Sequence, residues 1–449
     1  MDKTFSRDAT RAAAPAPAAL HASPDSATTP VTAAASRRYV QLLLLVLAAG
    51  AIYPILYLRQ VYQTTMLEVF AIDNAQLGYL YSVLGFVFFL SYLPSGWLAD
   101  RMAPRFLICF SLVATGVLGL CYSTAPSFPV LLAIFCGWGL TTGLTFWASV
   151  LKRVRMIAGA HEQGRFFGLL DGGRGLVEAL LATIALGLFA AATRSDPHAS
   201  ATGLRHVIYM YSFVCIGIGV LMSFFKDPQQ SATEAAAAAA EKESNLWQDL
   251  KMLAAIPQLW LVAAVVFCGY QIFWATYSFS AYLQQGDLHV SVVMAGVVTT
   301  LKLWMRPIGG IGGGYLGDRL SNLRVLTYAL FLAVLGLVGL ILLPSLRSVT
   351  VLAIVVLFIG VMTYAIRGLY WTLLDHCNIP MRITGLAIGL VSLIGYSSDI
   401  FLPLINGYIT QRFAGLVGYQ IYFAYVAVIG ALGWIAALAL KHMTHLKSA

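Results

Sequence analysis

The stretch that decides the fold is Gly96-Trp-Leu-Ala-Asp100-Arg101, because a second copy follows it far along the chain. That copy is Gly314-Tyr-Leu-Gly-Asp318-Arg319, displaced by 218 residues. Upstream, Tyr57 and Tyr62 recur as Tyr277 and Tyr282, displaced by 220 residues. An internal repeat of this length predicts two related halves, each with one copy of the motif.

The composition around the motif is that of a membrane protein. Of the 449 residues, 59% are hydrophobic and only 10% are charged, and the mean hydropathy is +0.79. A soluble chain of this length needs far more charge to cover its surface. Apolar runs of about 20 residues, enough for a helix to cross a bilayer, occur twelve times. These predicted spans, numbered 1 to 12, are 39–60, 76–99, 105–123, 128–150, 165–191, 204–225, 257–283, 290–317, 324–344, 349–373, 383–409 and 419–440.

The spans predict two bundles of six helices, at 39–225 and 257–441, joined by a polar cytoplasmic linker at 226–256. Residues 1–38 are rich in Ala, Pro, Ser and Thr, which predicts a disordered cytoplasmic tail. A cleaved signal peptide is not expected, because the first apolar run begins only at Tyr39. Residues 442–449 are expected to form a second cytoplasmic tail.

The basic residues predict the orientation. With both termini in the cytoplasm, eighteen of the 28 Lys and Arg residues lie in inner segments, four in outer segments and six within spans. This asymmetry follows the positive-inside rule. It also accounts for the net charge of +9 without a nucleic-acid partner.

In these features the chain resembles the major facilitator superfamily over about residues 39–441. The family's loop motif is a Gly, three residues, an Asp and a basic residue, followed by a Gly and further basic residues. Here Ala103 and Pro104 depart from the pattern in the first copy, and Ser321 departs from it in the second. The resemblance implies an all-α protein with twelve transmembrane helices in two pseudo-symmetric six-helix bundles, in the bacterial inner membrane.

The resemblance also implies a gating role for the loops, which in the family hold the inner gate shut in one state. The residues that would inherit this role are Gly96, Asp100, Arg101, Arg105, Gly314, Asp318 and Arg319. The alternative is that their charges only orient the chain in the membrane, which the paired recurrence disfavours.

A narrower likeness lies in the second half. Arg367-Gly-Leu-Tyr-Trp371, Ile379-Pro380 and the stretch from Gly395-Tyr396 to Asp399-Ile-Phe401 are similar to bacterial carriers of sugar acids and organophosphates. This likeness implies an anionic substrate and is less specific than the superfamily motif.

Ionisable residues inside spans are costly and therefore indicate a transport pathway or a partner. Nine lie in the predicted spans: Arg59, Arg165, Asp171, Arg174, Glu178, Lys302, Arg306, Arg367 and Asp399. Apart from Arg105, Arg205 and Arg324, which stand at the boundaries of spans 3, 6 and 9 and are counted with the loops, none lies in spans 3, 6, 9 or 12, the helices that in the superfamily lie outside the cavity. Six of the nine are cationic, so the cavity is expected to favour an anion.

The spacing of these residues leaves alternatives open. Arg59 either lines the outer mouth of the cavity or extends to the membrane interface. One face of span 5 carries Asp171, Arg174 and Glu178. These residues form either a substrate or proton site or a strip whose charges neutralise one another and hold the helix in place. Lys302 and Arg306 share a face of span 8 and need an anion, which is Asp399, a span 5 carboxylate or the substrate.

Arg367 is followed three and four residues later by Tyr370 and Trp371. This arrangement suits stacking on, and hydrogen bonding to, a planar or hydroxylated anion. Anchoring of this Arg near the cytoplasmic interface is the alternative. The predicted substrate-binding residues are therefore Arg59, Arg174, Lys302, Arg306, Arg367 and Tyr370. Proton coupling requires a carboxyl group buried in a span, and the candidates are Asp171, Glu178 and Asp399.

The function predicted from these observations is secondary transport of a small organic anion by alternating access, coupled to protons, by a monomer in the lipid bilayer. The alternatives are efflux of a drug, metabolite or siderophore and, less favoured, a ligand sensor of carrier ancestry. An enzyme is not predicted. Gly312–Gly317 matches the nucleotide-binding pattern GxGxxG, but it lies within an apolar span, and no phosphate-binding loop of the form GxxxxGK(S/T) occurs. Neither a cofactor nor a metal is expected, and the six cysteines have no CxxC spacing.

Overall fold

The computed structural model describes residues 29–158, 162–195, 199–225, 246–285, 290–346, 348–379 and 383–448. By its contacts the chain divides into Met1–Val40 and Gln41–Ala449. Of the first unit, residues 29–40 are described, as the start of a helix. The second unit contains the spans and the site.

The described part of the chain is helical, and its helices follow the predicted spans. The first half contains Thr29–Ala51, Arg59–Val69, Asn74–Arg101, Pro104–Tyr122, Phe128–Gly139, Trp147–Ile157, Gln163–Ser195 and Ser200–Ser223. Leu246–Ala254 is a helix in the linker. The second half contains Pro257–Ala275, Phe279–Leu283, Val292–Leu320, Asn322–Leu342, Val349–Leu369, Thr384–Gly395, Ser398–Arg412 and Leu416–Ser448.

Ten spans among these residues are long and apolar enough to cross a membrane. The first and eighth predicted spans are the two not among the ten. Span 1 is interrupted by turns at residues 52–58, which include Pro54. Span 8 is one continuous helix, but Lys302 and Arg306 lower its hydropathy. Both exceptions therefore arise where polar groups or irregular backbone lie inside the protein.

The interruption of span 1 has a counterpart in the second half. Span 7 passes through a 3-10 turn at Thr276–Ser278, and these positions lie 220 residues after 56–58 within the break of span 1. Irregular backbone at membrane depth is tolerated only where it lines a cavity or is buried in protein. The two breaks therefore lie at equivalent positions on the inner faces of the two halves.

Side chains bond to carbonyl groups within and just after the break of span 1. The Tyr81 hydroxyl donates to the Leu56 carbonyl at 2.7 Å, and the Ser280 hydroxyl donates to the Val61 carbonyl at 2.7 Å. Since a buried carbonyl without a donor costs about 1–3 kcal/mol, these bonds stabilise the break. The second bond also joins the two halves.

Helix packing follows the same arrangement in each half. Span 3 packs on span 6 and span 9 on span 12, whereas spans 2 and 11 and spans 5 and 8 pack against each other between the halves. Spans 2 and 11 approach closely where Gly78 faces the Pro403 carbonyl, since a Cβ at Gly78 would collide with that oxygen. The charged spans 5 and 8 therefore lie at the boundary between the halves.

The termini differ from the predicted boundaries. The first helix begins at Thr29 instead of Tyr39, because the alanines at 33–35 have high helix propensity. The last helix continues to Ser448, through the predicted tail at 442–449. Residues 1–28 and 226–245, which include most of the predicted N-terminal tail and linker, lie outside the described residues.

Candidate functional site

Repeat-equivalent residues meet where the two halves join. The rings of Tyr57 and Tyr277, equivalent by the shift of 220, stack with centroids 5.3 Å apart and planes at 24°. Thr64 and Gln284, also 220 apart, share a hydrogen bond of 2.7 Å. A pseudo-twofold axis that relates the halves must pass between the members of such pairs. The repeat in the sequence is therefore visible as contacts along this axis.

Three neutral hydrogen bonds between the halves lie at one end of the bundle, here called the sealed end. They join Gln63 to Tyr419 at 3.2 Å, Thr64 to Gln284, and the backbone N–H of Asn74 to Gln411 at 3.3 Å. The helix Asn74–Arg101 starts at this end and carries the first motif copy at its other end. Gln284 precedes span 8, whose far end carries the second copy. The sealed end is thus opposite both motifs.

Arg59 is buried next to the sealed end, with only 2% of its surface exposed. Its Nη2 donates to the Asn406 Oδ1 at 2.9 Å and, more weakly, to the Gln63 Oε1 at 3.4 Å. The guanidinium lies over the ring of Tyr81, with its Cζ 5.0 Å from the centroid. The alternative in which this side chain extends to the interface is wrong, because the break in span 1 turns Arg59 into the protein.

The amide that holds Arg59 is itself fixed by the second half. The Asn406 Nδ2 donates to the Ser278 Oγ at 3.2 Å, which orients the Asn406 Oδ1 toward the guanidinium. Among the described residues, the Nε and Nη1 atoms of Arg59 are buried and have no hydrogen-bond partner. The cation is thus held by neutral groups and aromatic faces.

Arg306 of span 8 crosses to span 5 and binds carboxylates. Its Nη1 donates to the Glu178 Oε2 at 2.8 Å, and its Nη2 approaches the Asp171 Oδ1 at 3.5 Å. The Glu178 side chain is 23% exposed, whereas that of Asp171 is 73% exposed. The carboxylates of span 5 therefore face a cation of the other half, because this face of span 5 points toward span 8.

The remaining cations of spans 5 and 8 contact aromatic rings and a hydroxyl group. The Arg174 Cζ lies 5.0 Å from the ring centroid of Trp147 and 5.5 Å from that of Tyr53. Lys302 is buried, and its Nζ donates to the Thr276 Oγ1 at 3.1 Å in the 3-10 turn of span 7. The same Nζ lies 5.8 Å from the ring centroid of Tyr277.

Arg367 contacts two aromatic rings of span 7 in addition to the residues that follow it in the chain. Its Cζ lies 4.0 Å from the ring centroid of Phe273 and 5.9 Å from that of Tyr270, both in span 7. The Tyr370 hydroxyl instead shares a 3.0 Å hydrogen bond with the Tyr396 hydroxyl. The helix ends at Leu369 and continues as a 3-10 turn, which changes the direction of Tyr370 relative to Arg367.

Asp399 is buried and linked to Arg59 through one indole ring. The Trp274 Nε1 donates to the Asp399 Oδ1 at 2.5 Å, while the Arg59 Cζ lies 6.0 Å from the Trp274 ring. Trp274 also contacts the stacked rings, with centroids 6.1 Å from Tyr57 and 5.1 Å from Tyr277. Spans 1, 7 and 11 thus meet around this tryptophan.

At the motif end, each motif arginine lies on an aromatic ring of its own helix. The Arg101 Cζ is 4.2 Å from the Trp97 ring centroid, and the Arg319 Cζ is 4.4 Å from the Tyr315 centroid. A Cβ added at Gly96 or Gly314 would meet nothing within 4 Å. Arg105 donates to the Ser223 carbonyl at 3.3 Å, Asp318 is exposed, and the Asp100 side chain lies outside what is described.

The structure thus brings the predicted cations and carboxylates of spans 1, 5, 8, 10 and 11 to the inner faces of the halves, with Arg165 exposed nearer the motif end. The sequence analysis did not identify the neutral partners, chiefly Asn406, Ser278 and Trp274. A lone Asn in an apolar span was the only available signal for Asn406. The aromatic residues of span 7 carried no signal beyond the Tyr57 and Tyr277 repeat.

Comparison with known sequences follows this geometry. The sequence pattern described as Major Facilitator Superfamily matches residues 39–403. Inner membrane protein YqcE of Escherichia coli (strain K12) is 30% identical over 378 residues, or 83% of this chain and 87% of that protein. Inner membrane protein YihN of the same strain is 28% identical over 403 residues, or 88% and 94%.

More distant relatives include a D-galactonate transporter of Escherichia coli O6:H1 (strain CFT073), which is 23% identical over 90% of this chain and 97% of its own length. Among solved structures, a bacterial homolog of the human lysosomal transporter Spinster, in an inward-facing and occupied conformation, superimposes with a TM-score of 0.73. It is 15% identical and covers 90% of this chain and 97% of its own. These likenesses confirm the predicted fold of twelve helices in two bundles.

Proposed function

This chain belongs to the Major Facilitator Superfamily, a family of membrane transporters, and we propose that it moves a small organic anion across the inner membrane by alternating access. We propose further that the transport is driven by protons and that the chain works as a monomer. The proposal concerns the substrate, its coupling and the residues that carry both.

The observation that carries the proposal is the excess of buried positive charge between the halves. Arg59 and Lys302 are 2% and 1% exposed. Their hydrogen-bond partners among the described residues are an amide pair and a hydroxyl group. A buried cation whose hydrogen-bond partners are all neutral is costly. An anionic substrate would supply a charged partner, which is the reason for proposing one.

The side chains around these cations favour a hydroxylated anion such as a sugar acid. Hydroxyl and amide groups of Ser278, Asn406 and Tyr396 can bond to substrate hydroxyl groups, and the stacked tyrosine rings can pack against the apolar face of a sugar. The 23% identical relative named as a D-galactonate transporter supports this class.

The ion pair between Arg306 and Glu178 supports a mechanism in which the substrate carboxylate replaces Glu178 at the Arg306 guanidinium. In the structure Glu178 occupies one edge of the Arg306 guanidinium at 2.8 Å. A substrate carboxylate can take this edge only when Glu178 leaves it, and a protonated Glu178 no longer competes as an anion. Glu178 is thus the first candidate for the proton-coupling group, with Asp171 and Asp399 as the others.

The contacts between the halves support alternation between two states. With both termini in the cytoplasm, as the basic residues predict, the motif end faces the cytoplasm and the sealed end faces outward. The chain would then be closed to the outside. In the opposite state the motif residues around Asp100 and Asp318 would close the inner end while the bonds of the sealed end separate.

Purified protein in liposomes provides the test. An inward proton gradient should drive accumulation of at least one of D-galactonate, D-glucarate or glucose 6-phosphate, and a protonophore should abolish it. The control is Arg412→Gln, which removes an exposed arginine that lies over Phe413 and should change uptake by less than about twofold. Failure of every anion in a broad panel to accumulate would contradict the proposal, and outward movement alone would favour the efflux alternative.

A further inference from the structure

The environment of Arg59 carries an inference that rests on the proposed function and goes beyond it. We propose that Arg59 and Asn406 form an anion-sensitive latch, in which the Asn406 amide takes the place of the substrate anion when the sealed end is closed. The latch opens when an anion from the outer side replaces the amide at Arg59. Asn406 is then a positioning residue that sets how strongly the outer gate closes.

The geometry shows why the contact can act as a latch. Arg59 belongs to span 1 and Asn406 to span 11, so their 2.9 Å hydrogen bond joins the two halves. Separation of the halves at this end must break it. The bond is buried, because Arg59 is 2% exposed and Asn406 is 2% exposed. Opening therefore exposes the guanidinium to whatever anion is present.

The composition of the latch shows why an anion can open it. The groups that face Arg59 are the amides of Gln63 and Asn406 and the rings of Tyr81 and Trp274. The Nε and Nη1 atoms are buried without a hydrogen-bond partner among the described residues. Two donors are thus unused in the closed state, whereas a carboxylate or phosphate can accept from two donors of a guanidinium at once.

The amide at position 406 matters because aspartate has nearly the same shape as asparagine but carries a full negative charge. The two side chains differ only in that an oxygen atom of aspartate replaces the amide nitrogen. A carboxylate at this position would give Arg59 a permanent partner of the same shape. A carboxylate adds an opposite charge to this bond and can accept from two donors of the guanidinium in parallel, which a single amide oxygen does less well. The latch would then close more tightly and an external anion would compete poorly.

The test substitutes Asn406→Asp and, in a separate variant, Asn406→Ala. The matched control is Arg412→Gln, because Arg412 lies six residues later in the same helix, is exposed and lies over Phe413. It changes the charge at the same end by the same one negative unit without contact to Arg59. Each variant is made in a chain that also carries Thr64→Cys and Gln284→Cys, whose native side-chain oxygens are 2.7 Å apart.

The yield of the disulfide between positions 64 and 284, measured by mass spectrometry after brief oxidation, reports the closed fraction of the sealed end. Without added anion, we expect Asn406→Asp to raise the ratio of closed to open protein by about tenfold and Asn406→Ala to lower it. The Arg412→Gln control should stay within about twofold of the parent. An unchanged yield in both position 406 variants would overturn the latch.

Addition of the anions tests the competition. D-galactonate, D-glucarate or glucose 6-phosphate should lower the disulfide yield of the parent chain but not that of Asn406→Asp or Arg59→Gln. An anion that lowers the yield equally in all three chains would refute competition at Arg59. The disulfide yield without added anion tests the latch even if no anion in the panel is transported. Failure of the proposed function and failure of the latch therefore give different results.

Discussion

Two arginines reach across the boundary between the halves, and they have opposite kinds of partner. Arg306 binds the carboxylates of Glu178 and Asp171, whereas Arg59 binds the amide of Asn406. The first contact is an ion pair that is partly open to water, with Arg306 17% exposed. The second is buried and has no counter-charge in the described part of the chain. The proposed transport of an anion can use both contacts. Arg306 would exchange a carboxylate of the protein for the substrate, and Arg59 would gain an anionic partner.

The difference also predicts how the two sites respond to the loss of a group. Removal of one member of an ion pair leaves an uncompensated charge, which is strongly destabilising when the pair is buried. Removal of an amide leaves a cation that was never neutralised. The three predictions below test this contrast, ordered from the largest expected effect to the smallest.

The largest effect is expected for Arg306→Gln, because it leaves Glu178 and Asp171 without their cation and removes a proposed substrate contact. Uptake should fall by more than about 100-fold, because a charge-assisted contact to the substrate carboxylate is lost together with the cation of the pair. Initial rates in liposomes measure the change, and a thermal melt of the purified protein separates it from misfolding. Arg306→Lys should recover part of the activity, since the charge remains while the two-pronged geometry is lost.

If Arg306→Gln retained more than a tenth of the parent rate, the Arg306 pair would be a structural contact, and the comparison with Arg59 would lose its functional meaning.

A smaller effect is expected for Glu178→Gln, and a smaller one again for Asp171→Asn. Glu178 is 23% exposed and 2.8 Å from Arg306, whereas Asp171 is 73% exposed and 3.5 Å away, so solvent screens the second pair. Glu178→Gln should reduce proton-driven uptake by roughly 10- to 100-fold, a loss of about 1.5–3 kcal/mol. Asp171→Asn should reduce it by less than about threefold.

Exchange of internal for external substrate, measured without a proton gradient, should survive in Glu178→Gln. Equal losses of exchange and of proton-driven uptake would show that Glu178 holds Arg306 in place and has no part in coupling.

Trp274→Phe is expected to have a smaller effect than Glu178→Gln, because it keeps an aromatic ring near Arg59 and the stacked tyrosines but removes the indole donor to Asp399. Loss of one hydrogen bond to a buried carboxylate should lower uptake by about tenfold or less. Phe401→Leu, a change in span 11 on the far side of the Phe267 ring, provides a comparison outside the charged cluster. If Trp274→Phe were as inactive as Arg306→Gln, Asp399 would outrank Glu178 as the coupling group.

The sequence analysis anticipated the positions of the charged residues better than their partners. It placed Asp171 and Glu178 on one face and named a span 5 carboxylate among three possible partners for span 8, and Arg306 meets that expectation. It grouped Arg367 with Tyr370 and Trp371 as a site for an anion, but it gave no indication of the Phe273 ring of span 7, which lies 4.0 Å from the Arg367 Cζ. Helical spacing identifies a shared face, but it does not say which helix packs opposite that face.

The sequence by itself determined the twelve spans, the two halves and the concentration of charge in a few helices. These follow from local quantities: the transfer of each segment into lipid depends on its own residues, and a repeat is visible without any contact. Only the tertiary structure decided that Arg306 meets carboxylates and Arg59 meets an amide. That outcome depends on the break in span 1 and on the packing of spans 2, 5, 8 and 11, which bring together side chains hundreds of residues apart.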